Sequence, residues 1–225
     1  MLHELFLEYR FYKVGPRGGI YKRTLYFCFL DLKKAFDTVP RNILFRKLYI
    51  AGIRGKLLRV IQNLFSSNPA NVVADRFLSP EFVINRGVLQ GSKLGPVLFN
   101  LFINDLLQEL NDTDLGAKIG PIHIPVLGFA KNIVLISDNP KKLQKLIDIC
   151  HRWSLKNKMS FNSSKSKVMI FNGTSENASF TINDVKLDIV DKHIYLGVTL
   201  TSRYVTNLFR AHFQELLKGH EKMWL

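Results

Sequence analysis

The 225 residues are enough for one large domain or two small ones with a real core. A hydrophobic share of 47% beside 22% charged residues excludes intrinsic disorder over most of the length. The formal net charge of +14, with a pI near 9.8, points to a polyanionic partner, nucleic acid before anionic membrane, against the plainer reading of a solvated basic surface.

Residues 1–24 are poorly patterned, and VGPRGG reads as a loop because proline and paired glycines disfavour regular structure. TLYFCFLDL, residues 24–32, is a nearly continuous β-prone run, the pattern of a strand buried on both faces. It leads into KKAFDTVP, where Asp37 or Thr38 is expected to cap a helix and Pro40 to sit in its first turn. Ile43, Leu44 and Leu48 mark that helix and Gly52 ends it. Leu57, Leu58, Ile61, Leu64 and Phe65 form one face of the next. NVVAD and EFVINRGV read as a hairpin turned around Ser79-Pro80. A glycine-containing loop then leads into a long helix with Pro96 near its start and a stripe of Phe99, Phe102, Ile103, Leu106, Leu107 and Leu110. Residues 111–121 read as a polar, glycine-rich loop.

In VLGFAKNIVLIS, residues 126–137, apolar runs flank the polar pair Lys131-Asn132, the pattern of a strand, a tight turn and a returning strand. Asp138-Asn139-Pro140 starts a helix with Leu143, Leu146, Ile147, Cys150 and Trp153 along one side and Lys141, Lys142, Lys145 and Arg152 on the other. KVMIFN, SFTIN (turning at Asn183-Asp184) and HIYLGVTL read as strands, and Leu208–Leu225 as a basic amphipathic helix. Helices interleaved with antiparallel hairpins indicate an α+β or mixed α/β fold. Cys28 and Cys150 are too few for a disulfide framework or a zinc site and read as buried thiols of a reduced intracellular protein. The start MLHELFLEYRFYK mixes charges into its apolar residues, so no secretory signal is read there. No window reaches the ~18 uninterrupted apolar residues of a membrane span. The expectation is an intracellular protein, nuclear or cytoplasmic, with no membrane partner.

Four segments in order resemble the reverse transcriptase domain of non-LTR, LINE-type retrotransposons such as the jockey-like elements. They are FLDLKKAFDTV (29–39), RGVLQGSKLGPVLFNLFINDL (86–106), SFNSSKSKVMIF (160–171) and YLGVTL (195–200). The resemblance implies an α+β fold, a right-hand polymerase palm in which an antiparallel sheet packs on helices. It divides the chain into a residual fingers segment at 1–24, a palm with inserted fingers elements at 25–205, and the start of a truncated thumb at 206–225. It implies an RNA template and a DNA primer, or an RNA–DNA duplex, as partners, and Mg²⁺ as cofactor.

Asp31 ends a buried apolar run, where a carboxylate is costly unless a metal or a cation compensates it. Phosphoryl transfer needs such acids, because two Mg²⁺ ions hold the attacking and leaving oxygens in line. The plainer reading is a salt-bridged acid at a strand end. By resemblance, Phe36 packs against the sugar of the incoming nucleotide, Gln90 and Gly91 lie along the template base and nucleotide, and Lys165 lies near the phosphates. Tyr195, Leu196 and Gly197 resemble the primer-grip hairpin. Alone, Phe36 reads as a core aromatic, Gln90-Gly91 as a turn leading into a helix, and Lys165 as a solvated lysine.

The resemblance breaks at one place. The family's hairpin reads Tyr or Phe, Ala, Asp, Asp, and supplies the remaining metal carboxylates. Here the aligned residues are Phe129, Ala130, Lys131 and Asn132. Exchanging Asp for Lys adds about +2 and Asp for Asn about +1, so local charge rises by about +3. An ammonium where a divalent ion should sit repels it by several kcal/mol, on the order given by Coulomb's law at an effective dielectric near ~20. Alternatively Lys131 pairs with Asp31 and satisfies its charge without any ion. Three readings follow: a polymerase, a basic palm that binds RNA or a duplex without chemistry, and a translated retrotransposon remnant.

Overall fold

The computed structural model describes residues 12–14, 20–22, 24–66, 69–89, 91–119, 122–174 and 178–202. The expected VGPRGG loop falls almost wholly outside these residues, as does the expected helix at 208–225. The expected fingers and thumb segments at 1–24 and 206–225 lie largely or wholly outside them too.

Two short antiparallel strands, β1 (Tyr12–Val14) and β2 (Ile20–Lys22), open the described chain in a region without sequence pattern. β3 (Leu25–Asp31) follows, buried along almost its whole length as its apolar run requires. α1 (Arg41–Ile50) begins one residue after Pro40, whose extended backbone carries no side-chain cap. The expected Asp37 or Thr38 cap is therefore absent: the Thr38 hydroxyl instead donates to the Lys33 and Lys34 carbonyls and closes the turn before the helix. Gly52 does end α1. Its φ of +92° lets its N–H reach the Tyr49 carbonyl while Ile53 N–H reaches that of Leu48.

α2 (Gly55–Ser66) buries only Ile61 and Phe65, one turn apart; Leu57 is 58% and Leu64 49% exposed, so the five-residue face expected from spacing is half in solvent. The next hairpin is nested. β4 (Pro69–Ala70) pairs with β7 (Phe82–Val83), and inside them β5 (Val73–Ala74) pairs with β6 (Phe77–Leu78). The reversal lies at Asp75-Arg76, with Asp75 at φ +53°, and not at Ser79-Pro80. α3 (Leu94–Asn111) keeps its expected stripe, with Phe99, Phe102, Ile103, Leu106 and Leu110 buried. The Ser92 hydroxyl accepts the Gly95 N–H at its first turn.

β8 (Ala117–Ile119) and β9 (Ile122–Ile124) pair where a loop was expected from composition. β10 (Val126–Phe129) and β11 (Asn132–Ser137) are the expected strand–turn–strand. α4 (Pro140–Lys156) starts as expected: the Asn139 side-chain oxygen accepts the N–H groups of Lys141 and Lys142. β12 (Lys167–Phe171) follows. β13 (Thr181–Ile182) and β14 (Val185–Lys186) turn at Asn183-Asp184, both left-handed at φ +51° and +58°. β15 (Asp188–Ile189), β16 (Lys192–Tyr195) and β17 (Val198–Thr201) are the last elements of the described residues.

The described residues fall into two compact units, one within Met1–Asp31, Leu110–His151 and Phe161–Leu225, the other within Leu32–Glu109 and Arg152–Ser160. In the first, a five-stranded sheet runs β10-β11-β3-β12-β15, antiparallel except for the β12–β15 edge. Leu25, Phe27, Phe29, Val134, Ile136, Met169 and Phe171 line one face, covered by Ala117 and Ile124 of β8–β9 and Tyr195 and Leu200 of β16–β17. The Phe29 ring lies 4.5 Å from His193 and 5.4 Å from Tyr195. Cys28, Leu30, Ile133, Leu135, Val168 and Ile170 are buried on the other face. Both cysteines are buried thiols, as expected, with no disulfide between them, and burial pushes the Cys28 thiol up.

The second unit is organised by two cations. Lys47 donates to the Phe102 carbonyl and to Asp105 Oδ1, each at 2.7 Å, beneath the rings of Phe102 and Trp153. Trp153 Nε1 donates to the same Asp105 oxygen at 2.9 Å. Arg41 donates to the carbonyls of Phe65, Ile84, Arg86 and Gly87, tying the end of α2 to the segment after β7.

Candidate functional site

Asp31 is the last residue of β3, and its backbone is held from both directions. Its N–H donates to Ser166 Oγ at 3.2 Å and its carbonyl accepts the Asn162 N–H at 2.7 Å. The turn 162–166 is thereby pinned beside Asp31 on the β12 flank. On the β11 flank, Asn132 is the direct register partner of Asp31. Residues opposite one another across an antiparallel pair project to one face. Asp31 and Asn132 thus extend the face that carries Phe29 and Val134 beyond its apolar part.

Ala130 and Lys131 form the two-residue turn between β10 and β11, closed by the pairing of Phe129 with Asn132. Ala130 holds φ +49°, a left-handed conformation that costs a non-glycine residue about 1–2 kcal/mol. Strand pairing on both flanks imposes it. Lys131 is exposed at the tip. No ion pair joins Lys131 to Asp31 among the described residues; those present are Lys47–Asp105, Arg152–Glu109 and Lys167–Asp188. The alternative in which Lys131 neutralises Asp31 is therefore not what the structure holds.

Lys165 is exposed in the pinned turn, its N–H donating to the Asn162 carbonyl. Lys167 is engaged with Asp188 at 2.6 Å, and that contact holds the Asp188 carboxyl below its ordinary range. His193 is shifted down, chiefly by burial and then by the charge of Lys167. Leu196 and Gly197 turn the β16–β17 hairpin with φ +49° and +81°, the two left-handed positions of a type I′ turn. Leucine is unusual at the first of these; its packing against the sheet's apolar face compensates the strain. Tyr195 is buried there, and burial raises its phenol.

Phe36 and Gly91 belong to the second unit. The Phe36 ring is half-buried, 4.9 Å from Phe99, and its carbonyl accepts the Val88 N–H. Gly87 is the glycine this geometry demands: a Cβ there would meet the Asp37 carbonyl at 2.8 Å, and its φ is +87°. Gly91 also has a left-handed φ, +79°, with nothing within 4 Å of a would-be Cβ. Gln90 lies outside the described residues.

The donor set at Asp31 does not fit Mg²⁺. The register offers one carboxylate, one amide and, at the adjoining tip, an ammonium. Among the described residues no group of three or more His, Cys, Asp or Glu side chains could hold a metal. Sequence reading found Asp31, Lys131 and Asn132 but missed Ser166 and Asn162, which fix Asp31 in place. Both sit in the polar run SFNSSKSK, where nothing marks Ser166 as fully buried.

Residues 17–200 match the family described as reverse transcriptase (RNA-dependent DNA polymerase). The chain is 30% identical over 192 residues to the RNA-directed DNA polymerase from mobile element jockey of Drosophila funebris, covering 84% of this chain and 20% of that protein. It is 29% identical over 203 residues to a Pol polyprotein from the type-1 retrotransposable element R2 of Popillia japonica, covering 86% and 34%. A Pol polyprotein from a type-2 retrotransposable element of Drosophila melanogaster is 34% identical over 126 residues, covering 56% and 12%. The chain thus spans at most about a third of the length of these relatives. Among solved structures, apo telomerase from Candida tropicalis truncated from its C-terminal domain superposes with a TM-score of 0.58 at 15% identity, covering 80% of this chain and 34% of that one. Telomerase from the same organism with a TWJ fragment of telomeric RNA gives 0.58 at 16%, covering 80% and 29%, which confirms the α+β palm-like fold. The chain belongs to the reverse transcriptase (RNA-dependent DNA polymerase) family, and its domain is of the non-LTR, jockey-like type.

Proposed function

We propose that this domain has lost polymerase chemistry and acts as a non-catalytic module that binds an RNA template or an RNA–DNA duplex. The observation that carries the reading is the hairpin at 129–132. Its frame is intact, with Phe129 and Ala130 in place and Asn132 in register with Asp31, yet the tip carries Lys131. In the family the two positions are acids and hold Mg²⁺. A lysine and an asparagine remove two carboxylates and add an ammonium, and no other described cluster replaces them. In-line displacement loses the charge stabilisation that two metals give to attacking and leaving oxygens.

The remaining roles follow the family. Asp31 is a retained acid without its partners. By the family, Phe36, Gln90 and Gly91 have nucleotide and template roles, Lys165 has a phosphate role, and Tyr195, Leu196 and Gly197 have a primer-grip role. The palm covers 25–205, with fingers residue before it and thumb after it. The net charge of +14 supports a polyanionic partner, and so does telomeric RNA in a solved relative. No helix among the described residues is long and apolar enough to cross a membrane, and the proposed location is intracellular, nuclear or cytoplasmic.

Primer extension on an RNA template, in Mg²⁺ and again in Mn²⁺, tests the loss of chemistry. No incorporation above an enzyme-free control is expected. Incorporation that disappears in Asp31→Ala would overturn it.

A further inference from the structure

We propose that Lys131 contacts a nucleic-acid phosphate directly, in the place where relatives interpose a metal ion, so that this site binds the backbone without any divalent cation. The proposal rests on the reading that the domain binds nucleic acid, and narrows it to a residue and a mode.

Three observations support it. First, Lys131 is held at a fixed place. It sits in a two-residue turn whose flanks are paired, Phe129 with Asn132 on one side and Asn132 with Asp31 on the other. The left-handed Ala130 fixes the direction of that tip. Second, the Lys131 ammonium is exposed and makes no ion pair with a described carboxylate, although Asp31 lies in the neighbouring register position. An ammonium with three donors and no acid partner is a phosphate ligand in its own right. Third, the formal charge around Asp31 is reversed in sign. Lys131 flanks it through β11 and Lys165 through the turn that Asn162 and Ser166 pin to it, while Lys167 is neutralised by Asp188. One acid between two exposed lysines leaves a surplus of one positive charge. Such a surface gathers phosphates and not divalent cations.

Lys131 is exposed, so its substitution leaves the core untouched, and a thermal melt equal to wild type verifies that each variant folds. Binding of a labelled RNA–DNA duplex to the full chain is followed by anisotropy along a salt series, once in EDTA and once in millimolar Mg²⁺. Wild type is expected to bind in EDTA at least as tightly as in Mg²⁺, because the added cation competes for phosphates. Lys131→Ala is expected to reduce the slope of log K against log salt by about 1, the loss of one phosphate contact. Lys131→Asp is expected to weaken binding further. Binding by wild type with an unchanged slope in Lys131→Ala would overturn this proposal and leave the binding module standing. Binding that requires Mg²⁺ would overturn it too. No binding in either buffer at any salt would overturn both.

Discussion

Asp105→Ala is expected to lower the free energy of unfolding by about 3 kcal/mol. That is the lower part of the range for stranding a buried charge, chosen because Asp105 is itself 45% exposed and water reaches it. The substitution removes one oxygen that accepts from Lys47 Nζ, Trp153 Nε1 and the Leu106 N–H. Lys47 keeps the Phe102 carbonyl but loses its counter-charge, with a side chain only 13% exposed. Asp105→Asn keeps an acceptor but also strips Lys47 of its counter-charge, so it is expected to cost less than Asp105→Ala by about 1 kcal/mol, the typical worth of a hydrogen bond.

Denaturant titrations along a pH series carry a sharper signature of the same node. Burial lowers the Lys47 pKa below its ordinary 10.5, and Asp105 opposes that shift. Between the folded and unfolded pKa values the unfolded chain binds more protons, so stability rises with pH in the window just below 10.5. Removing Asp105 deletes the opposing contribution and lowers the folded pKa further. The rise in stability is therefore expected to begin at lower pH in Asp105→Ala than in wild type.

The second large effect is Phe102→Ala, with an expected loss of about 3–5 kcal/mol, the range for emptying a buried aromatic site. Phe102 is fully buried, its ring edge-on to Trp153 at 5.7 Å and 4.3 Å from the Lys47 ammonium. Phe102→Leu fills most of the volume and is expected to cost no more than about 1.5 kcal/mol. Phe102 and Asp105 share Lys47, so the double variant is expected to lose less than the sum of the two single losses, by about 0.5 kcal/mol or more. Urea unfolding of Phe102→Ala, Phe102→Leu, Asp105→Ala and the Phe102→Ala/Asp105→Ala double variant checks these values.

The parts of the fold legible in the sequence are those whose pattern has one physical solution. A seven-residue apolar strand has to be covered on both faces, and β3 is. A 3.6-residue stripe on a long segment fixes α3, and an Asn-Asp pair fixes the β13–β14 turn. Elsewhere local chemistry allowed more than one answer. Ser79-Pro80 is a good turn signal, yet the chain reverses at Asp75-Arg76, because a nested pair of short strands needs its tip midway. The apolar face of α2 has the right period, but periodicity does not say how much of a stripe finds a partner. Arg41 and Lys47 carry no sequence signal that sets them apart from other helix cations. Their roles come from carbonyls and rings far along the chain, which no local pattern encodes.

The candidate site divides in the same way. Asp31, Lys131 and Asn132 were legible because a strand end and a tight turn place them. That Asn132 sits in register with Asp31 follows from strand pairing alone. The hydrogen bonds from Asn162 and to Ser166 join residues more than a hundred positions apart, and only the fold discloses them.

Binding of Mn²⁺ to the full chain, followed by the loss of the free-ion electron paramagnetic resonance signal, tests the central claim most directly. Wild type is expected to take up no more Mn²⁺ than Asp31→Ala, because Lys131 and Asn132 stand where the other carboxylates would be. Stoichiometric uptake by wild type that vanishes in Asp31→Ala would contradict the account.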